Sequence, residues 1–268
     1  MIIEWNHHLF SSDVARFPFH ARATYRPDVA RLSADPIGDY LARMEREGID
    51  RAVLVHPEPY GDDHALVCEA IARHPDLFRA CSLFYPHDPE APDKLHALVR
   101  AVPQFVATRF HAHRGKEMYL DSFADPGVRA IWERAAAMGQ IIELHIGPNY
   151  AQQVARAIRE YPSTTILIDH LAEPGMGNIV EYMSVLELAQ FPQVIMKLSG
   201  LNHISTEAPH YLDVQPLIRG LADAFGPDRL VWGSGSPGII DAHLPHLSES
   251  DRAKIKGGNL AKLLDWGA

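Results

Sequence analysis

Short runs of β-branched and apolar residues recur along the chain, and most are followed by a stretch whose apolar positions fall at helical spacing. The runs cover 2–5, 52–56, 78–84, 105–111, 141–145, 165–170, 194–199 and 230–234. Between them, helical spacing is read at 40–44, at Leu66, Cys68, Ile71 and Ala72, at Leu95, Leu98 and Val99, over 128–138, and at Val154, Ala155 and Ile158. Strand–helix alternation predicts a parallel sheet, because parallel neighbours need a crossover between them. Such units close into a barrel or lie in an open doubly wound sheet. The open sheet normally carries a glycine-rich phosphate turn after its first strand, and no such turn follows 2–5.

The polar residues decide between the two. His8, His56, Arg109, His111, His145, His170 and Ser199 all stand at or just past the C-terminal end of a predicted strand. In a (β/α)₈ barrel that end of the sheet is the face that holds the active site. The expectation is therefore an α/β chain, a parallel eight-stranded TIM barrel occupying 1–268 as one domain, with no linker or low-complexity segment.

Composition narrows the function classes. The chain has 268 residues, against the typical length of about 250 for such a barrel, and is 47% apolar, enough for a large core. A formal net charge of −9 with dispersed acids argues against nucleic-acid binding. No apolar run approaches the roughly 20 residues of a membrane span, and the start does not read as a signal peptide. Cys68 and Cys81 are the only cysteines and are read as buried free thiols, which fits a cytoplasmic protein. Histidine is abundant at 16 residues. Imidazole is both a common metal ligand and an acid–base group near neutrality. Three of these side chains, His8, His145 and His170, belong to strands one, five and six and are expected to converge on the barrel axis.

Several motifs, in order, carry a family resemblance. They are Glu4-Trp5-Asn6-His7-His8-Leu9-Phe10, Gly48-Ile49-Asp50-Arg51-Ala52-Val53-Leu54-Val55, Leu144-His145-Ile146-Gly147-Pro148 and Ile168-Asp169-His170-Leu171-Ala172-Glu173-Pro174. Lys197-Leu198-Ser199-Gly200-Leu201 and Gly226-Pro227-Asp228-Arg229-Leu230-Val231-Trp232-Gly233-Ser234 complete the set. The chain resembles the amidohydrolase-related family nearly end to end, close to its pyrone-dicarboxylate and sugar lactonase branch, with non-oxidative decarboxylases as more distant relatives. The resemblance implies a hydrolase.

Two departures from the family pattern bear on its metal. The family's first strand normally ends in a metal-binding His-x-His, and the corresponding pair here is Asn6 and His8, with His7 facing away. At strand eight the family usually carries an aspartate that holds the metal and takes the proton of the attacking water. Here that position is Gly235 in Gly233-Ser234-Gly235-Ser236-Pro237. The metal site reads as degenerate: either no cofactor or a single divalent ion, zinc or manganese, on His8, His145 and His170. Glu143 is expected deeper in the barrel, while Glu173 and Asp241 lie on loops from which a carboxylate can reach inward.

Related lactonases have a carboxylate-binding arginine at the position of Arg109, so the resemblance assigns Arg109 to a small anionic organic substrate. His111, His113 and Arg114 extend that cluster. Asn6, His56 and Ser199 are further substrate-binding candidates, Tyr85 and His87 extend the pocket, and His20, Arg22 and Tyr25 form a candidate lid. Three readings stay open. The first is a hydrolase of a carboxylate-bearing lactone, with little metal dependence, using His145 or His170 as general base and His8 and Arg109 as oxyanion stabilisers. The second is a metal-dependent hydrolase or decarboxylase with a rearranged site. The third is a catalytically silent barrel that binds a ligand or supports a partner, and a homodimer or a pairing with a homologous subunit is compatible with all three.

Overall fold

The computed structural model describes residues 1–112 and 119–267. Eight strands form one sheet in sequence order: β1 (Ile3–His7), β2 (Arg51–Val55), β3 (Phe78–Leu83), β4 (Phe105–His111), β5 (Ile141–His145), β6 (Ile166–Ile168), β7 (Val194–Leu198) and β8 (Leu230–Trp232). Each consecutive pair is parallel, and β8 returns against β1. Between strands run α1 (Pro36–Glu47), α2 (Ala65–Arg73), α3 (Ala91–Ala101), α4 (Pro126–Ala137), α5 (Ala151–Glu160), α6 (Ile179–Glu187) and α7 (Gln215–Phe225). After β8 come α8 (Ile239–His243), α9 (Glu249–Ala253) and α10 (Asn259–Leu263). The expected (β/α)₈ barrel is the fold. None of the described helices is long and apolar enough to cross a membrane.

Strand alternation sorts the side chains into two layers. Ile3, Trp5, Val53, Val55, Cys81, Ala107, Leu167 and Val231 fill the barrel, with Leu260 and Trp266 closing its base. Leu54, Ala80, Phe110, Leu144, Ile168 and Trp232 point the other way, into the layer under the helices. Local signals set the helix ends. Asp35 caps α1 ahead of Pro36, Gly48 ends it in a left-handed conformation, and Asn178 with Glu181 forms a reciprocal capping box on α6. Cys81 is buried and Cys68 only half-buried, both as free thiols.

Two irregularities shape the mouth. The β1 register shifts between Trp5 and His7, so Asn6 and His7 together oppose the single residue Leu54. Such a bulge re-aims the strand. Trp5 still points inward, His7 turns out to stack on Tyr40 at 3.4 Å, and His8 comes back to the axis. The second irregularity is β6, which stops at Ile168, short of the expected 165–170. Beyond Asp169 the chain makes a left-handed turn, with φ of 49° at His170, 59° at Leu171, 59° at Ala172 and 41° at Glu173.

Candidate active site

A buried ionic cluster forms the floor. Arg109 of β4 is 3% exposed, and Glu143 of β5, Asp169 after β6 and Lys197 of β7 are each 0% exposed. Arg109 Nε lies 3.0 Å from Glu143, and its Nη2 pairs with Asp169. Lys197 Nζ lies 2.6 Å from Asp169 Oδ1 and 3.3 Å from Glu143 Oε1. Trp5 Nε1 donates to Glu143 Oε2 at 2.5 Å. Burial works against the Asp169 carboxylate, yet the Arg109 and Lys197 cations outweigh it and hold its pKa below the ordinary value. Burial, together with the neighbouring Asp169 charge, pushes Glu143 up.

Imidazoles stand on this floor. Arg109 Nη2 donates to His145 Nδ1 at 3.1 Å and is 3.5 Å from His170 Nε2. Because an arginine only donates, His145 must accept at Nδ1 and carry its proton on Nε2. That Nε2 lies 2.7 Å from Glu173 Oε1. His203 Nδ1 approaches the same Glu173 oxygen at 2.8 Å, and Ser199 Oγ lies 2.8 Å from His170 Nδ1. His8 donates from Nδ1 to the Val55 carbonyl at 2.7 Å. Burial, then the nearby Arg109 cation, lowers His8 to about 3, so it is neutral near pH 7. Burial likewise holds His170 well below its ordinary value despite the adjacent Asp169.

The left-handed turn delivers Glu173. A non-glycine residue in that conformation costs roughly 1–2 kcal/mol, and such strain persists only where surrounding contacts impose it. Here Leu171 and Ala172 are fully buried, Tyr182 Oη donates to the Leu171 carbonyl at 2.9 Å, and Glu173 N bonds His170 O at 2.9 Å. The turn places His170 and Glu173, three residues apart, on one side of the mouth.

Among the expected site residues, His8, Arg109, His111, His145, His170 and Ser199 meet at the mouth, with the His111 ring 5.1 Å from that of His145. Asn6 joins them through Lys197, whose Nζ lies 3.1 Å from Asn6 Oδ1. Arg109 is also held from within the barrel, where Glu143 and Asp169 engage its Nε and Nη2 and fix the guanidinium at the floor of the site. Ser199 is held on His170, orienting that ring.

His56 is not brought in. Val53 and Val55 take the inward positions of β2, so His56 faces the helix layer, bonds the Gly61 carbonyl at 2.9 Å and lies 4.1 Å from the His64 ring. Asp241 of α8 pairs with Arg252 of α9 and with Lys256 just past it instead of reaching the mouth. In the candidate lid, His20 bonds Tyr85 at 3.0 Å, while Arg22, Tyr25 and His87 are exposed. His113 and Arg114 lie outside the described residues. His203, absent from the expected set, stands just past β7, where a polar strand-end residue is itself a signal.

Metal chemistry has one matching donor set among the described residues. His145, His170 and Glu173 each offer an atom within 4.8 Å of the others. Glu173 thus takes the place of His8 in the expected trio, because the left-handed turn brings its carboxylate to the two imidazoles. Two imidazoles and a carboxylate suit one divalent cation, and catalytic zinc commonly keeps three protein ligands. An ion on His145 Nε2 would displace the proton that now faces Glu173 and, with the ring proton moved to Nδ1, the Arg109 contact there.

A family profile described as Amidohydrolase matches residues 3–266. A 4-sulfomuconolactone hydrolase of Rhizobium radiobacter is 30% identical over 237 residues, covering 87% of this chain and 75% of that protein. An L-fucono-1,5-lactonase of Burkholderia ambifaria is 27% identical over 199 residues, covering 72% and 67% respectively. A probable 2-pyrone-4,6-dicarboxylic acid hydrolase of Acinetobacter baumannii, solved with citric acid bound, superposes with a TM-score of 0.80 at 19% identity over 98% of this chain and 99% of its own. At that identity the superposition speaks for the fold alone. The chain belongs to the amidohydrolase family, as its motifs implied. It is a hydrolase, and the silent-barrel reading gives way.

Proposed function

We propose that this hydrolase opens a lactone ring by attack of water on the ester carbonyl, with Glu173 as the group that takes the proton of that water. The carrying observation is the relay Glu173–His145–Arg109, with contacts of 2.7 Å and 3.1 Å. It fixes the carboxylate, and His203 braces it from the other side. Neutral His8, with its Nδ1 proton committed to Val55, offers Nε2 as an acceptor that orients the water. The water oxygen bonds the acyl carbon, the ring C–O bond breaks, and Glu173 returns its proton to the leaving alkoxide, giving a hydroxy acid. The base thus moves from the expected His145 or His170 to Glu173, with His145 as its positioning partner. His8, as an acceptor, no longer serves as an oxyanion stabiliser.

The lactone class is supported by the relatives named for 4-sulfomuconolactone and L-fucono-1,5-lactone. We place an anionic substituent, a carboxylate or its equivalent, on the substrate. Support comes from the first relative's sulfo group and from His111 at the β4 end of the mouth. Assay of carboxylate-bearing and neutral lactones tests this reading, and exclusive opening of the neutral ones would reverse the anionic part.

The His145–His170–Glu173 donor set favours a second reading, in which turnover depends on one zinc or manganese ion. Held by these residues, the ion would supply Lewis acidity toward the ester carbonyl. Metal content measured on native protein, with turnover before and after chelation, separates the readings. A stoichiometric ion whose removal abolishes turnover selects the second, and chelator-resistant turnover selects the first.

Pairing of two copies also belongs to the proposal. It is supported by the apolar surface of Met176, Ile179, Val180 and Met183 at the start of α6, and light scattering tests it. A cytoplasmic setting is supported by the free thiols.

A further inference from the structure

Asn6 and Lys197 meet at the edge of the mouth, 191 residues apart in sequence and 3.1 Å apart in space. An ammonium group has only N–H donors, so the asparagine atom facing it is the amide oxygen. This contact settles the usual ambiguity between the two ends of the side chain. Lys197 is fully buried and held by Asp169 and Glu143, so the oxygen it anchors has little freedom. The other end, Nδ2, has two N–H donors and no hydrogen-bond partner among the described residues, on a side chain that is half-buried. The β1 bulge sets this amide beside His8.

We propose that the Nδ2 of Asn6 donates to the oxyanion that forms on the lactone carbonyl, and that Lys197 is its positioning residue. The inference rests on the lactone-opening reading. Neighbouring groups are committed elsewhere. His8 presents an acceptor to the mouth, His145 uses both ring nitrogens on Arg109 and Glu173, and the Nε and Nη2 of Arg109 are engaged by Glu143 and Asp169. Asn6 offers a pre-oriented neutral donor among them. The ammonium on its carbonyl oxygen also draws electron density from the amide and strengthens the Nδ2–H donors, as in any polarised hydrogen-bond chain. A donor fixed before charge develops is the arrangement that favours a transition state over a ground state.

Asn6→Asp tests this directly. It preserves the side-chain shape and the oxygen facing Lys197 while removing both N–H donors. Wild type and variant are compared on carboxylate-bearing lactones and on p-nitrophenyl acetate, an activated ester that also passes through an oxyanion. The expected result is a kcat lower by roughly 10²- to 10³-fold, with the thermal midpoint and the KM for the neutral p-nitrophenyl acetate little changed and partial recovery in Asn6→Ser. Should Asn6→Asp fail to fold, Asn6→Ala carries the same comparison. An active wild type whose Asp and Ala variants keep kcat overturns the Asn6 assignment and leaves the lactonase reading standing. A wild type that hydrolyses neither lactone nor ester overturns both.

Discussion

His145 Nε2 and Glu173 Oε1 lie 2.7 Å apart, although the first ends a strand and the second ends four consecutive left-handed residues. The strand fixes the imidazole and the turn brings the carboxylate to it. Arg109, on the far side of the ring, sets which nitrogen carries the proton. A cation, an imidazole and a carboxylate thus share one line, with the carboxylate at its outer end.

Glu173→Gln keeps the size of the side chain and removes its basicity. Turnover is expected to fall by roughly 10²- to 10⁴-fold, the range for loss of a general base, with the melting transition near that of wild type. Steady-state kinetics on the purified variant checks this. Near-normal kcat would move the base to another residue.

Gly200 has φ of +66°, and a Cβ there would stand 2.7 Å from His170 Nδ1. Gly200→Ala is therefore expected to push the His170 ring off Ser199 and to cost about 1–2 kcal/mol of stability for the left-handed backbone. Urea unfolding and kcat should both respond. Gly235, with φ of +84°, has no heavy atom closer than Ile239 Cδ1 at 3.9 Å to an added Cβ. Gly235→Ala should consequently show the backbone cost without the loss of turnover.

Stability should fall in acid through the buried histidines. His64 titrates at 6.5 ordinarily and is lowered to about 3 here by burial, and His7 behaves alike. Between those values the unfolded chain binds a proton that the folded chain refuses. The stability present above pH 6.5 is therefore lost as pH falls toward 3, by at most about 1.4 kcal/mol per pH unit for each group. His64→Gln retains an acceptor for the Leu83 N–H, which now bonds His64 Nε2 at 3.2 Å. It should flatten the pH dependence of urea unfolding in this window, and an unchanged slope would show that His64 is not a contributor.

Arg109→Met leaves Glu143 and Asp169 facing Lys197 alone in a fully buried setting. Removing one member of such a cluster strands a charge and typically costs about 3–5 kcal/mol. Chemical denaturation should show a loss of that size, and a loss under about 1 kcal/mol, the scale of an exposed pair, would show the cluster to be hydrated.

The barrel was legible because β-branched runs, helical spacing and polar strand ends repeat in phase. The convergence of His8, Arg109, His145 and His170 followed from strand-end position alone. His56 was misread because an assignment by strand end ignores which face the pleat presents, and Val53 and Val55 hold the inward one. The role of Glu173 was harder to see. His-Leu-Ala-Glu contains no glycine to announce a left-handed turn, and burial of Leu171 and Ala172 imposes it. Nor does sequence show that Arg109 meets two internal carboxylates, since Glu143 and Asp169 reach it only when β4, β5 and β6 lie side by side.

Ring opening by the wild-type protein can be followed by NMR on a set of carboxylate-bearing and neutral lactones. Catalytic conversion of a carboxylate-bearing lactone to its hydroxy acid is the expected result. Failure to open any lactone in the set, by protein shown to be folded and assayed with and without added zinc or manganese, would contradict the assignment of lactone opening to this site.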